Sequence, residues 1–162
     1  MNILRPAHNI PAKACRSWKE TKKEAYALRD FIKNGKFEGA YESAYAISHA
    51  QVADPEDGTG PLNFFVVNED KKYGFVKAFG SWVIMNPKIT KRSDPCSIKD
   101  ACMSFPYRKP KETVRFNKIT ATYYAPFLWT WRKVTRKLEG LPAFIVAHEL
   151  EHSAGKSIYF PT

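Results

Sequence analysis

Residues 143–155 read A-F-I-V-A-H-E-L-E-H-S-A-G, and this stretch constrains the chain more than any other. Proline 142 suits the first turn of a helix and Gly155 suits the position just past its end. The spacing therefore predicts a short helix of about 12 residues, opened by Gly140-Leu141-Pro142. Phe144, Ile145, Val146, Ala147 and Leu150 make that helix apolar nearly all round, which implies burial. A buried helix must then satisfy two histidines and two glutamates. His148 and His152, four residues apart, share one face and can reach one cation. Glu149, one step around, can touch a water on that cation without ligating it. Histidines hydrogen-bonded inside a core are the plain alternative, but they leave Glu149 unexplained. Chance does not account for the pattern: with four histidines in 162 residues, a shuffled chain would contain His-Glu-x-x-His about 0.006 times.

The rest of the chain supplies the elements that could bury such a helix. Ser17-Trp18-Lys19-Glu20 has the form of a capping box, Gly35 is a natural stop, and Ala25, Leu28, Phe31 and Ile32 recur at helical spacing, so a first helix is expected over about residues 18–34. From Leu62 the texture changes to short aromatic and β-branched runs, L-N-F-F-V-V, Y-G-F-V-K-A-F and S-W-V-I-M-N, which read as antiparallel strands. A second β region runs from about Glu112 to Val134, with a turn or bulge expected at Ala125-Pro126. Helix, strands, then helix without βαβ alternation implies an α+β fold: antiparallel sheets packed around a buried C-terminal metal-binding helix, with an N-terminal helix, in a single domain over residues 1–162.

Composition narrows the class. A content of 44% hydrophobic and 14% aromatic residues is not that of a disordered chain. No apolar run of membrane-spanning length occurs, and M-N-I-L-R-P-A-H-N-I-P lacks the apolar core of a signal peptide, so a soluble cytoplasmic protein is expected. Three cysteines, Cys15, Cys96 and Cys102, show no paired spacing and argue against a disulfide framework. The formal charge of +10 suits a polyanionic neighbour such as RNA or the ribosome surface, with basic stretches at Arg108 to Lys118 and Arg132 to Lys137; solvated strand faces would give the same total.

Two histidines leave a tetrahedral site one protein ligand short. Residue type alone leaves Cys102, in D-A-C-M-S-F-P, competing with Cys15 and Cys96. Here the motifs carry a resemblance. H-E-L-E-H-S-A-G resembles the third motif of the peptide deformylases, His-Glu-x-Asp-His followed by a small residue and glycine. D-A-C-M-S resembles their second, Glu-Gly-Cys-Leu-Ser, and S-A-Y-A-I-S-H-A-Q-V, residues 43–52, resembles their first, Gly-x-Gly-hydrophobic-Ala-Ala-Pro-Gln, ending at Gln51. I-M-N-P-K-I, residues 84–89, is similar to an Ile-Asn-Pro segment lying between the first two. Departures are Asp100 for Glu, Ala101 for Gly, Met103 for Leu, Glu151 for Asp, Ala44 and Ala46 for two glycines, and Ser48-His49-Ala50 for Ala-Ala-Pro. The chain stops seven residues after Gly155, which resembles truncated phage-encoded members without a C-terminal ribosome-docking helix.

The resemblance implies a role for each matched residue. Cys102, His148 and His152 are expected to bind one divalent metal, Fe2+ in the cell, with Zn2+, Ni2+ or Co2+ substituting, and iron beside a thiolate implies loss of activity in air. Glu149 is the expected base and then acid, while the Gln51 side chain and the Met103 backbone N–H are the expected oxyanion donors. The implied substrate is a formyl-methionyl peptide, paired along a strand edge around residues 45–48, including Ala46 and Ile47, with Phe105, Phe144 and Ile145 near an apolar pocket. The expected enzyme is monomeric, cytoplasmic (host cytoplasm if phage-encoded) and free of membrane. Another His-Glu-x-x-His amidase or protease, and a basic non-enzymatic RNA- or ribosome-binding protein, are the alternatives.

Overall fold

The computed structural model of the chain describes residues 10–35, 37, 43–53, 60–102, 104–105, 107–157 and 159. Helix α1 (Trp18–Asn34) begins where expected: the Ser17 hydroxyl accepts the Glu20 N–H at 3.1 Å, and the Gly35 N–H closes the last turn on the Phe31 carbonyl. Five antiparallel strands follow in sequence order across one sheet: β1 (Ala46–Ser48), β2 (Phe64–Val67), β3 (Val83–Asp100), β4 (Lys111–Phe127) and β5 (Thr130–Glu139). A 3-10 turn, His49–Gln51, follows β1; a short helix α2 (Phe75–Phe79) lies between β2 and β3, and α3 (Leu141–Ser153) follows β5.

The sheet is covered on both faces at its β1–β3 end, so β2 reads as a continuous apolar run with every residue buried. On one face Ala25, Leu28 and Ile32 of α1 pack on Ile47, Phe64, Val66, Val83 and Met85. On the other, Ala143, Ile145 and Val146 of α3 pack on Phe65, Val67, Ile84, Ile119, Ala121, Tyr123 and Leu138. The antiparallel architecture and N-terminal helix are as expected, but the two β regions form one sheet, with α3 against one face of it. No helix among the described residues is long and apolar enough to cross a membrane.

Three local expectations are corrected. The Y-G-F-V-K-A-F segment is not a strand: Gly74 and Gly80, at φ +68° and +70°, bracket the single-turn α2, and Phe75 and Phe79 bury together one helical turn apart. The chain does not turn at Ala125-Pro126. Pro126 stays in the ladder opposite Trp131, and the reversal falls at Leu128-Trp129, where Leu128 takes φ +54°. Finally, β3 runs 18 residues, far past the I-M-N segment, with Pro87 inside a register shift between Met85 and Lys88, a second shift between Ile89 and Lys91, and Pro95 in the regular ladder opposite Phe116.

Candidate metal centre and active site

Helix α3 follows directly from β5 through Gly140, whose φ of +69° and ψ of −134° suit glycine. Pro142 occupies the first turn, and Gly155, at φ +75°, lies just beyond the end. This start sets the rotation of the helix. Ile145 and Val146 face the sheet, and the same burial carries Glu149 and His152 inward, at 4% and 6% exposure.

Cys102 lies just beyond the end of β3, beneath α3. Its Sγ is 3.2 Å from His152 Nε2, which in turn is 3.1 Å from His148 Nε2. The three atoms fall within 4.8 Å of one another. These separations resemble the edges of a tetrahedron around a cation, roughly 3.3–3.6 Å from usual zinc–ligand lengths. The other two cysteines are free thiols elsewhere: Cys15 is buried in the α1-side core, and Cys96 lies in β3.

An acidic shell holds this trio. His148 Nδ1 donates to Asp100 Oδ2 at 3.0 Å, which turns Nε2 toward Cys102 and His152. Arg115 of β4, 5% exposed, donates to Asp100 at 2.9 Å and to both Glu151 oxygens at 2.6 and 3.2 Å, tying β3, β4 and α3 together. Burial alone would raise the Asp100 carboxyl, but its bonds to His148 and Arg115 outweigh that and leave it below the ordinary range. Burial alone would also lower His148. Asp100, Cys102 and the Glu149 charge reverse this and hold it well above its ordinary value.

Glu149 has the opposite setting. Burial, reinforced by the Asp100 and Glu151 charges and opposed by His148, pushes its carboxyl up to about 7. Its Oε2 is buried with no hydrogen-bond partner among the described residues. An orphaned carboxylate oxygen beside a converging thiol and two imidazoles is a donor set suited to a divalent cation and a water.

Gln51 approaches from the 3-10 turn. Its Oε1 accepts the Ser48 N–H at 3.0 Å and its Nε2 donates to Ser104 Oγ at 3.1 Å, so the amide is oriented at both ends and retains a second N–H. The turn itself is anchored by buried His49, which accepts the Leu62 N–H at 2.9 Å and stacks on Phe64. Met103 lies outside the described residues. A cleft of about 460 Å³ opens onto Gln51, His148 and Glu149 and is bordered by Ala46, Phe144 and Ile145. Ile47 instead sends its side chain into the α1-side core, and Phe105 packs on Tyr159 and Arg108; neither borders the cleft.

Sequence reading missed Arg115, Ser104 and Tyr45, the last of which lines the cleft. Arg115 had no local signal: its strand neighbours Val114 and Phe116 point to the opposite face, and its partners Asp100 and Glu151 lie 15 and 36 positions away.

Fold and site together define a mixed α/β protein with a Cys-His-His trio and a buried glutamate on its last helix. The chain belongs to the polypeptide deformylase family, whose sequence profile matches residues 13–160. No curated protein matches it. Among solved structures it is similar to a peptide deformylase from the Vibrio parahaemolyticus bacteriophage VP16T in complex with actinonin (21% identity, TM-score 0.70, 98% of this chain and 100% of that one). A probable peptide deformylase from Synechococcus phage S-SSM7 is similar at 18% identity and TM-score 0.73, covering 98% and 97%. Peptide deformylase 1B from Arabidopsis thaliana with an inhibitor is similar at 22% identity and TM-score 0.72, covering 100% and 81%.

Proposed function

We propose that this chain is a metal-dependent peptide deformylase that hydrolyses the formyl amide on the N-terminal methionine of nascent polypeptides, giving formate and a free amine. The observation that carries the reading is the meeting of Cys102, His148 and His152 beside buried Glu149 in a chain of this family. The three residues would hold one divalent ion, Fe2+ in the cell, with Zn2+, Ni2+ or Co2+ able to substitute, since a thiolate with two imidazoles suits them all. When bound, such an ion acidifies water and polarises a carbonyl oxygen.

The chain's own groups then divide the work. Glu149 takes the proton of the attacking water and passes it to the leaving amine, a role suited to a carboxyl that lies near neutrality. The remaining Gln51 N–H and the Met103 backbone N–H donate to the developing oxyanion; losing one such donor costs about 10²–10³ in rate. Asp100 keeps His148 in the tautomer that offers Nε2. The outer edge of β1, the end strand of the sheet, pairs at Ala46 and Ile47 with the peptide main chain, while Phe144 and Ile145 border the cleft for the methionine side chain. We assign residues 1–162 to one catalytic domain, acting as a monomer in the cytoplasm, or in the host cytoplasm for a phage-encoded chain.

Replacing Cys102 by alanine separates this reading from another His-Glu-x-x-His amidase. Elemental analysis and formate release from a formyl-methionyl peptide should show both metal and activity lost by orders of magnitude. A Cys102→Ala protein that kept one metal per chain and its turnover would reject the proposed ligand set.

A further inference from the structure

On the sheet face opposite α3, the register brings five lysines together. Ile119, Ala121 and Tyr123 of β4 are buried in the core on the α3 side, so by alternation Lys118, Thr120, Thr122 and Tyr124 lie on the other face. Their cross-strand partners are Ser93 and Glu139, Lys91 and Lys137, Lys88 and Thr135, and Met85 and Lys133. Lys88, Lys91, Lys118, Lys133 and Lys137 are all exposed, and none is in an ion pair among the described residues. Glu139, at one end, is the single carboxylate in these rows.

We propose that this lysine face binds the phosphate backbone of RNA. The four rows run from Lys118 to Tyr124, roughly 20 Å of strand, which is the reach of several consecutive nucleotides. Thr120, Thr122 and Thr135 add hydroxyls between the ammonium groups, the mixture that phosphate and sugar oxygens accept. A groove of about 590 Å³ runs along Lys91, Ser93, Lys118, Lys137 and Glu139 of this face and gives the strip concavity. At its hairpin end Trp129 is 83% exposed, an aromatic surface on which a base can stack. An acidic lipid surface would need the apolar residues and the lysines in one plane, whereas Phe127, Leu128 and Trp129 lie at one end of the strip. Because the face lies across the sheet from α3, RNA bound there leaves the cleft open. The inference stands on the lysine register alone and does not depend on the hydrolytic reading.

The test is fluorescence anisotropy of a labelled 20-nucleotide single-stranded RNA with the full chain, titrated from 50 to 300 mM salt. Two variants of equal charge change are compared, Lys91→Glu/Lys137→Glu on the face and Lys71→Glu/Lys77→Glu beside α2, with thermal melts verifying that both fold. The face variant should bind at least tenfold more weakly and lower the slope of log K against log salt by about 1.4, at about 0.7 per lost contact. The α2 variant should stay within threefold of the parent. Equal effects of the two variants, no binding by the parent at 50 mM salt, or binding to anionic phospholipid vesicles in place of RNA would each overturn the proposal.

Discussion

His148 makes one bond that decides what it can do. Its Nδ1 is committed to Asp100, so Nε2 faces the sulfur of Cys102 and the ring of His152. Asp100 is itself held by Arg115. Asp100→Asn keeps the shape but weakens the acceptor, and metal affinity should fall about 10- to 100-fold, the usual cost of a lost carboxylate behind a ligating histidine. Competition with a calibrated chelator measures it; unchanged affinity would remove Asp100 from the account. Glu149 obeys a different balance, dominated by burial. A Gln51 side chain tied by Ser48 and Ser104 shows how the site orients a donor with neutral groups alone. Of these residues the sequence made the helix pair and Glu149 legible through spacing. Ser104 was not legible, because its partner lies 53 positions away.

Among the elements, α3 and α1 were readable because caps and glycines punctuate them locally. The strands were less so. The Y-G-F-V-K-A-F run has strand-like residues, yet two positive-φ glycines close it into one helical turn, and tertiary burial of Phe75 and Phe79 overrides propensity. Pro126 read as a turn, but it sits in a ladder without need of its N–H, and the Leu128-Trp129 reversal carries no glycine to announce it. Joining the elements is the work of Arg115, a β4 residue bonded to the last residue of β3 and to α3. Arg115→Met leaves Asp100 with His148 alone and Glu151 without its guanidinium partner. Loss of a buried partner costs about 3–5 kcal/mol, and with the Glu151 side chain 31% exposed the lower end is expected, about 3 kcal/mol. Urea unfolding of parent and variant checks this; a difference below about 1 kcal/mol would show that the clamp contributes little to holding α3 on the sheet.

At the scale of the whole molecule, the buried carboxyl links the site to stability. In metal-free protein Glu149 titrates near 7, above its ordinary value of about 4.5, so between those values the folded chain holds a proton that the unfolded chain has lost. Its stabilising contribution is therefore complete below pH 4.5 and disappears as pH rises through 7, an upper bound of roughly 3 kcal/mol. Melting temperatures of chelated protein should fall across that window, and Glu149→Gln should flatten the fall; parallel curves would mean that burial does not perturb this group. The charge of +10 follows the same logic of placement: the total was visible in the sequence, but the meeting of five of its lysines on one sheet face depends on a register with two shifts in β3. The central claim is that the α3 site hydrolyses a formyl amide with Glu149 as base. Formate release from formyl-Met-Ala-Ser by anaerobically prepared Fe2+- or Ni2+-loaded protein, beside its Glu149→Ala variant, tests it most directly. The account predicts turnover in the parent and a loss of several orders of magnitude in the variant with metal still bound. Equal turnover in both, or none in a parent carrying one metal per chain, would contradict it.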